Sequence, residues 1–389
     1  MNARRRSVRD ETTVKIDEHV LLTGFPSFRA RRMCEEIVTA DGGPRAVVHA
    51  VVHPKLRADA QDALDALPLD ARRRVELLEG NAAAMDLGLS GAEFRSLART
   101  IDRIHHCVQV SYVGAERSAA EHVNVGSAYE ILEVARACSK LESLVVHSSA
   151  HVSGDRSGIV YEADLDRGQR FRNVVEETLA KAERVFRRAM IGKKPVPIVI
   201  LRPTIVVGDS RTGEVDRLEG PYLLILLMLA APPDFAIPLA FSEREIALNL
   251  VPIDFVTKAA LRIGRDPRAV GRTFHLVDPN PLPAHKVVEL VARAGGRRVP
   301  SGFLPANLMR AILRAPGLER FAKSPRAALD AVMVPVTYDH TNADELLEGT
   351  NITCPPLDTY VDTLVAHVQR WLDARAEKRD AARQHDPLA

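Results

Sequence analysis

The chain has few of the features that mark several large classes of protein. Its 389 residues include only four cysteines, and none of them lies in a CxxC pair or a zinc-ligand spacing. Scattered cysteines of this kind are typical of reduced core residues in a cytoplasmic protein, so we expect no disulfide and no metal site. Aromatic residues make up 5% of the chain and the formal net charge is +2, so we expect no nucleic-acid partner.

Long hydrophobic runs are equally scarce. One spans residues 222–231 and is closed by Pro232 and Pro233. As a helix it would be about 15 Å long, too short to cross a bilayer, so we expect no transmembrane segment. A buried helix, or one that lines a groove for an apolar or acyl chain, is the better interpretation. Residues 1–17 are polar and no apolar segment follows their arginines closely, so we predict a disordered tail rather than a signal peptide.

Short apolar segments alternate with amphipathic ones over the first half of the chain. The predicted strands are 19–23, 45–52, 75–78, 101–110, 143–148 and 198–202, and the predicted helices are 29–40, 58–66, 91–100, 119–139 and 171–191. Strands that are apolar throughout are typical of a parallel sheet covered on both faces. The pattern therefore predicts an α/β fold with a doubly wound parallel sheet, as in Rossmann-like domains.

The alternation of strands and helices loosens after Pro203. We predict a smaller, mostly helical C-terminal cap over residues 209–375, interleaved with a returning sheet segment at about 248–280, and a frayed tail over 376–389. Such a cap is expected over the carboxyl ends of the strands, where open α/β sheets bind their ligands. The first domain, residues 18–208, is then of the dinucleotide-binding type.

Six stretches follow one another through most of the chain. They are residues 23–30 (TGFPSFRA), 124–133 (NVGSAYEILE), 146–154 (VHSSAHVSG), 201–208 (LRPTIVVG), 249–254 (NLVPID) and 273–278 (TFHLVD). In order and spacing these stretches resemble the extended short-chain dehydrogenase/reductase superfamily, and most closely its fatty acyl-CoA reductase and thioester-reductase-like branch. The resemblance implies a Rossmann-like fold, an NAD or NADP cofactor and a reductase activity. A fold does not carry its chemistry with it, so the activity depends on which residues occupy the site.

The resemblance implies a cofactor loop after the first strand. Its predicted cofactor-binding residues are Thr23, Gly24, Pro26, Ser27, Phe28 and Arg29. A turn of this type normally carries three glycines. Gly24 keeps the first, whereas Ser27 takes the place of the second and Ala30 the place of the third. The serine side chain would stand where the pyrophosphate comes closest, so we expect cofactor binding to be weakened or lost, although a hydroxyl can also donate to a phosphate.

Positions after the later strands predict which cofactor is preferred. The predicted cofactor contacts there are His53, Lys55, Asn81, Cys107 and Gln109. An NAD-preferring enzyme would carry an acid after the second strand. The basic groups found here favour the 2′-phosphate of NADP, unless Lys55 and Arg57 are simply solvated surface charges. Asn81 can still hydrogen-bond the adenine, whereas Cys107 and Gln109 are bulkier than the family's usual residues and would crowd a cofactor.

The catalytic residues of the family are only partly present. Its members use a Tyr as general acid and base, a Lys one helical turn later, and a Ser or Thr on the preceding strand. Ser149 matches the last of these, but Val175 and Leu179 occupy the Tyr and Lys positions and carry no proton. His151 would share a face with Ser149 on an extended segment and could act as a base. The alternative is that His151 only packs.

The joint loss of the second glycine, the Tyr and the Lys favours a catalytically impaired homologue that serves as a binding or regulatory protein. The alternative is an NADP-dependent oxidoreductase that reduces an acyl thioester or a carbonyl with a non-standard acid or base. In both cases the resemblance implies NADP or NAD, with NADP slightly favoured, and an apolar or acyl-chain ligand. The predicted helices 119–139 and 171–191 commonly pair between subunits in this superfamily, so a homodimer, another protein partner and a monomer all stay open.

Overall fold

A seven-stranded parallel sheet runs through the protein, for which the computed structural model describes residues 16–40, 43–112, 114–230, 246–299 and 335–384. The strands, in chain order, are β1 (Glu18–Phe25), β2 (Ala46–Val52), β3 (Val75–Glu79), β4 (Arg103–His106), β5 (Ser143–His147), β6 (Ile198–Pro203) and β7 (Thr273–Leu276). Their order in the sheet is β7-β6-β5-β4-β1-β2-β3, and every neighbouring pair is parallel. The predicted doubly wound, Rossmann-like sheet is therefore confirmed. The strand order reverses between β1 and β4, which is where such sheets bind ligands.

Helices cover both faces of this sheet. In chain order they are α1 (Phe28–Thr39), α2 (Arg57–Asp65), α3 (Leu69–Arg72), α4 (Gly91–Thr100), α5 (Arg117–Ala120), α6 (Ser127–Ala137), α7 (Val174–Ala189), α8 (Pro221–Ala230), α9 (Ile253–Gly264), α10 (Ala284–Ala294), α11 (Thr341–Leu347) and α12 (Val361–Gln384). On one face α1 and α9 bury Ile37 and Val256 against the strands. On the other face α6 and α7 bury Ile131 and Phe186. Every residue of β4 and β5 is buried as a result, which explains why these strands lack the polar alternation of a half-exposed strand.

The fourth strand is shorter than the predicted segment 101–110 and ends at His106. The side chain of Asn124 takes the place of a strand neighbour beyond that point. Its Oδ1 accepts the backbone N–H of Val110 at 2.7 Å, and its Nδ2 donates to the carbonyl of Val110 at 3.1 Å. One amide thus satisfies both backbone groups and lets the chain leave the sheet. Asn124 lies in a short stretch of π-type hydrogen bonding, Glu121–Gly126, that leads into α6.

The described part of the chain after residue 208 is mainly helical, as predicted. Helices α8, α10 and α12 pack together through apolar side chains that include Leu226, Val288 and Val365. The predicted returning segment supplies β7 at the edge of the main sheet. Helix α12 extends to Gln384, into the segment predicted to fray.

One pair of strands was not predicted from the sequence. The short strand Gly158–Val160 pairs in parallel with Val336–Tyr338 and ties the segment before α7 to the C-terminal region. Residues 1–15 of the predicted N-terminal tail, residues 231–245 and 300–334 of the predicted cap, and residues 385–389 of the predicted C-terminal tail fall outside the described ranges. Within those ranges, none of the helices combines the length and the apolar character needed to cross a membrane.

Candidate functional site

The turn between β1 and α1 forms one wall of the candidate cofactor cleft. Gly24 has a φ of +87°, and a Cβ built on it would lie 2.7 Å from the backbone nitrogen of Val108, so this position requires glycine. Ser27 precedes α1, is exposed and makes no side-chain capping hydrogen bond. Ala30 is fully buried beneath the turn. The turn thus keeps glycine where the fold needs it, and its serine hydroxyl is available to a phosphate oxygen.

Thr23 supports this turn from inside the protein. Its side chain is fully buried, and its Oγ1 lies 3.0 Å from Nδ1 of His106. The other ring nitrogen of His106 lies 3.3 Å from Oγ of Ser127. Burial lowers the pKa of His106 to about 3, so this imidazole is neutral at pH 7. The Thr23 hydroxyl is therefore engaged by the protein itself, and the other predicted turn residues, Pro26 and Phe28, are half-buried.

The first turns of α1 carry three arginines with different surroundings. Arg31 forms an ion pair with Asp216, and Arg32 forms one with Asp209. Both acids lie on the loop that follows residue 208, and Asp209 is fully buried. Arg29 contacts no acidic residue in the part of the chain that the structure describes. Two of the three positive charges are therefore neutralised before any ligand binds.

Gln109 links α1 to the end of β5. With its amide oriented to satisfy both neighbours, its nitrogen donates to the carbonyl of His147 at 3.2 Å and its oxygen accepts from Nη1 of Arg29 at 3.0 Å. Burial lowers the pKa of the Arg29 guanidinium. Cys107 is also buried, and burial raises the pKa of its thiol to about 12. The end of β4 is thus filled by a neutral thiol and by an amide that holds Arg29 next to the end of β5.

The ends of β2 and β3 are more open. Nδ1 of His53 accepts the backbone N–H of Lys55 at 3.2 Å. Arg57 lies 3.3 Å from a carboxylate oxygen of Glu79, whereas Lys55 is exposed and has no ionic partner among the described residues. Oδ1 of Asn81 accepts the backbone N–H two residues further on at 3.0 Å, which leaves its Nδ2 as a donor. This end of the cleft therefore offers a free cation and a free amide donor.

The structure brings Ser149 and His151 together. Oγ of Ser149 lies 3.1 Å from Nδ1 of His151 and accepts the backbone N–H of His151 at 3.2 Å. Burial and the nearby charge of Arg172 lower the pKa of His151 to about 4, so its ring is neutral at pH 7 and can accept a proton. Both side chains are half-buried. A hydroxyl in contact with a neutral imidazole is the geometry that general base catalysis requires.

A buried ion network fixes the end of β5 next to this pair. Ser148 donates to Oε2 of Glu183 at 3.0 Å, and Oε1 of Glu183 accepts from Arg202 at 2.6 Å and from Arg187 at 2.9 Å. Burial acts to raise the pKa of Glu183, but the charge and hydrogen bonds of Arg202 outweigh it, so the pKa is lowered. This network was not predicted. Its sequence signal is an acid four residues after Leu179, on the buried stripe of an amphipathic helix.

Val175 and Leu179, at the positions where the resemblance predicts a Tyr and a Lys, are themselves apolar and are surrounded by apolar side chains. Val175 and Leu179 lie one turn apart on α7, are each 8% exposed, and share an apolar cluster with Val152. Lys181 forms ion pairs with two glutamates at 2.6 and 2.9 Å. Tyr161 is 53% exposed, and its hydroxyl has no partner among the described residues. Neither residue therefore supplies the missing acid at this point.

His105 and His106 lie on opposite faces of β4, as adjacent strand residues do. Nδ1 of His105 lies 3.2 Å from Nε2 of His147 on the face opposite to His106. Burial holds the pKa of His105 at about 3, so this ring is neutral too. In the described ranges no group of three or more His, Cys, Asp or Glu residues is arranged to hold a metal ion.

Comparisons with known proteins agree with this architecture. A model of an NAD-binding family, described as "Male sterility protein", matches residues 22–260. Glycine betaine reductase ATRR of Emericella nidulans is 25% identical over 221 residues, which are 56% of this chain and 17% of that protein. The isonitrile lipopeptide synthase of Streptomyces coeruleorubidus is 24% identical over 360 residues, 88% of this chain and 24% of the synthase. The chain thus spans a small part of these curated relatives.

Solved structures extend the likeness to the whole fold. The terminal R domain from the myxalamid PKS-NRPS biosynthetic pathway superposes with a TM-score of 0.76, at 22% identity and over 91% of each chain. At that identity the likeness establishes the fold alone. The Rossmann-like sheet and the helical C-terminal region seen here are therefore a known arrangement of the fold.

Proposed function

The chain belongs to the NAD-binding family described as male sterility protein, in the thioester-reductase-like branch of the extended short-chain dehydrogenase/reductase superfamily, and on this premise we propose that it binds a nicotinamide dinucleotide without the family's usual hydride transfer. It acts as a catalytically impaired binding or regulatory protein. The observation that carries this proposal is the apolar packing of Val175 and Leu179. A positioned acid or base contributes on the order of 10²–10⁴ in rate, and neither side chain can supply one.

The residues present fit the nucleotide half of such a cofactor. The Ser27 hydroxyl is free to donate to a phosphate oxygen, and Nδ2 of Asn81 is free to donate to the adenine. Lys55 has no ionic partner among the described residues and would pair with a 2′-phosphate, which favours NADP over NAD. When bound, the cofactor supplies a hydride. This chain's residues would hold its nucleotide part and leave the hydride without a proton donor at the usual place.

Thermal unfolding in the presence of each cofactor tests the proposal. A cofactor that binds the folded state raises its stability by mass action. At a concentration about a thousandfold above the dissociation constant we expect a rise of several degrees in melting temperature for a chain of this size, together with no oxidation of NADPH by long-chain acyl-CoA. The absence of any shift with NADPH, NADP⁺, NADH or NAD⁺ would remove cofactor binding from the proposal.

A second function is favoured by a specific contact, the 3.1 Å approach of Ser149 and His151. In this alternative the protein is an NADP-dependent reductase of an acyl thioester or carbonyl. Ser149 orients the substrate oxygen and donates its hydroxyl proton to it, and the neutral His151 beside it relays a replacement proton from water. The test is turnover of long-chain acyl-CoA by the wild type and by Ser149→Ala. The impaired-homologue proposal would be falsified if NADPH oxidation were seen and depended on Ser149.

The ligand and partner follow from the same proposal. The proposed ligand is an apolar or acyl-chain molecule, as the resemblance to thioester reductases implies. Helix α8 supplies core packing, since Leu226 and Met228 are each 3% exposed within the C-terminal cluster. A homodimer through α6 and α7, or another protein partner, and a cytoplasmic location stay predictions. Analytical ultracentrifugation of the purified chain would decide between the monomer and the dimer.

A further inference from the structure

Among the described residues, one arginine of the first turns of α1, Arg29, has no acidic counter-ion and lies at the ends of β4 and β5. Arg31 and Arg32, its neighbours on α1, are neutralised by acids of the loop after residue 208. Arg29 has no acidic partner within the described residues, and its guanidinium bonds to the neutral amide of Gln109. A partly buried charge that lacks an opposite charge is costly. This cost indicates that the charge of Arg29 serves to bind a ligand rather than to stabilise the fold.

The strand order determines which part of a dinucleotide this cation would meet. Lys55 and Asn81 follow β2 and β3, whereas Ser149 follows β5. A ligand that extends from the first two to Ser149 crosses the ends of β1 and β4, because the strands run in the order β3-β2-β1-β4-β5. Gln109 follows β4 and holds Arg29 at that crossing. The same Gln109 amide also donates to the carbonyl of His147 at the end of β5, two residues before Ser149, so the guanidinium lies on the β5 side of that crossing, toward the nicotinamide end of the ligand and away from its adenine end.

We propose that Arg29 makes this cleft select between the two oxidation states of the cofactor, so that the reduced dinucleotide binds in preference to the oxidised one. The inference rests on the proposed function, since it needs a bound dinucleotide. The oxidised nicotinamide ring carries a positive charge and the reduced ring is neutral. A fixed guanidinium beside the ring therefore repels only the oxidised form. Like charges in a partly desolvated site repel strongly enough to change affinity by roughly tenfold or more.

The experiment measures the dissociation constants of NADPH and NADP⁺ by isothermal titration calorimetry. For the wild type we expect NADPH to bind at least about tenfold more tightly than NADP⁺. In Arg29→Met that ratio should fall by roughly tenfold, chiefly because NADP⁺ binds better. Arg29→Lys should keep the ratio, because it keeps the charge. Arg31→Met is the matched control, and it should also keep the ratio, because Asp216 already neutralises Arg31.

The outcomes separate this inference from the proposed function. Binding of neither form by the wild type overturns both. Binding of both forms with the same ratio in the wild type and in Arg29→Met overturns the selection by charge and leaves cofactor binding in place. An equal loss of affinity for both forms in Arg29→Met assigns Arg29 to the phosphates and also overturns it. Arg29→Gln provides a second variant without the charge, should the methionine variant fail to fold in a melting experiment.

Discussion

The two halves of the candidate cleft differ in what their polar side chains do. In the nucleotide half, Ser27, Lys55 and Asn81 keep donors that no other described residue uses. In the reaction half, the polar groups at the end of β5 bond to one another and to α7, and apolar residues, Val175 and Leu179, lie where the sequence predicts the ionisable pair. A free group can change with an effect on binding alone, whereas a group in a buried network changes the free energy of unfolding. The nucleotide half therefore keeps the properties of a binding surface, and the reaction half has those of a protein core.

Restoring the missing pair should give the largest change. In Val175→Tyr with Leu179→Lys, we expect NADPH oxidation by long-chain acyl-CoA to rise on the order of 10²–10⁴ above background, because Ser149 is already in place and a proton donor then joins it. The rate is followed by the absorbance of NADPH. Each single substitution should stay near background, since the Tyr and the Lys act as a unit.

The matched control for this experiment places the phenol elsewhere on the same helix. Val174→Tyr with Leu179→Lys moves the phenol by about 100° around α7 and should leave the rate at background. The added volume at position 175 should cost about 1–3 kcal/mol of unfolding free energy, which circular dichroism melts will monitor. A wild-type rate equal to that of the restored variant would show that the apolar pair does not limit the chemistry.

Removing the charge at the centre of the reaction half should give the next largest effect. Glu183 is 1% exposed and holds Arg187, Arg202 and Ser148. In Glu183→Gln the two guanidinium groups lose their common anion, so we expect unfolding in urea to become easier by about 3–5 kcal/mol. The control is Asp155→Asn, which breaks a surface contact to an exposed arginine and should leave the urea midpoint unchanged. A similar midpoint for both variants would argue against a core-like reaction half.

Glu162 should make the free energy of unfolding depend on pH. Its buried carboxylate accepts the backbone N–H of His275 at 2.8 Å and that of Asn342 at 2.6 Å. Burial raises the pKa of Glu162 from 4.5 to about 7, and the charge of Asp339 adds to this. Between those two values the folded state binds more protons than the unfolded state, so the unfolding free energy falls as pH rises. The contribution is complete below about pH 4.5 and lost by about pH 7, and we expect it to be on the order of 3 kcal/mol.

Urea unfolding of the wild type and of Glu162→Gln, at pH values from 5 to 7.5, measures this effect. The glutamine cannot titrate, so its difference from the wild type should change steadily across the window. Glu162→Gln also removes one hydrogen-bond acceptor. This second effect lowers the unfolding free energy of the variant by about 1–3 kcal/mol, equally at every pH. Parallel curves for the two proteins would show that Glu162 does not titrate there.

The sheet was predictable because its signals are local. Apolar strands alternate with amphipathic helices, and each strand of the first domain lies where its apolar segment lies in the sequence. The end of β4 was predicted too late, because the clamp from Asn124 to Val110 joins residues 14 apart and has no local pattern. The assignment of Val175 and Leu179 to the positions of the family's Tyr and Lys stays a prediction from the sequence, and the structure adds that both side chains are buried in an apolar cluster.

The charges of the site were less predictable than its apolar residues. Arg29, Arg31 and Arg32 look equivalent in the sequence, and only the fold brings Asp209 and Asp216 onto two of them. The two residues of each of these ion pairs are more than 170 positions apart in the sequence. Ion pairs of that kind depend on how the loop after residue 208 packs on α1, which no pattern within either segment determines.

Lys55→Met should have the smallest effect and the most selective one. Lys55 is exposed and has no ionic partner among the described residues, so the melting temperature should not change. The affinity for NADPH should fall by about three- to tenfold, because a charge-assisted contact to the 2′-phosphate is lost. NADH has no such phosphate, and its affinity should stay the same.

In the control, Arg57→Met, the lost guanidinium is already paired with Glu79, so we expect a smaller loss of NADPH affinity. An equal loss for NADPH and NADH would place Lys55 beside a part that the two cofactors share. No loss for either would make Lys55 a solvated surface charge, and the nucleotide half would then have no group that favours NADP.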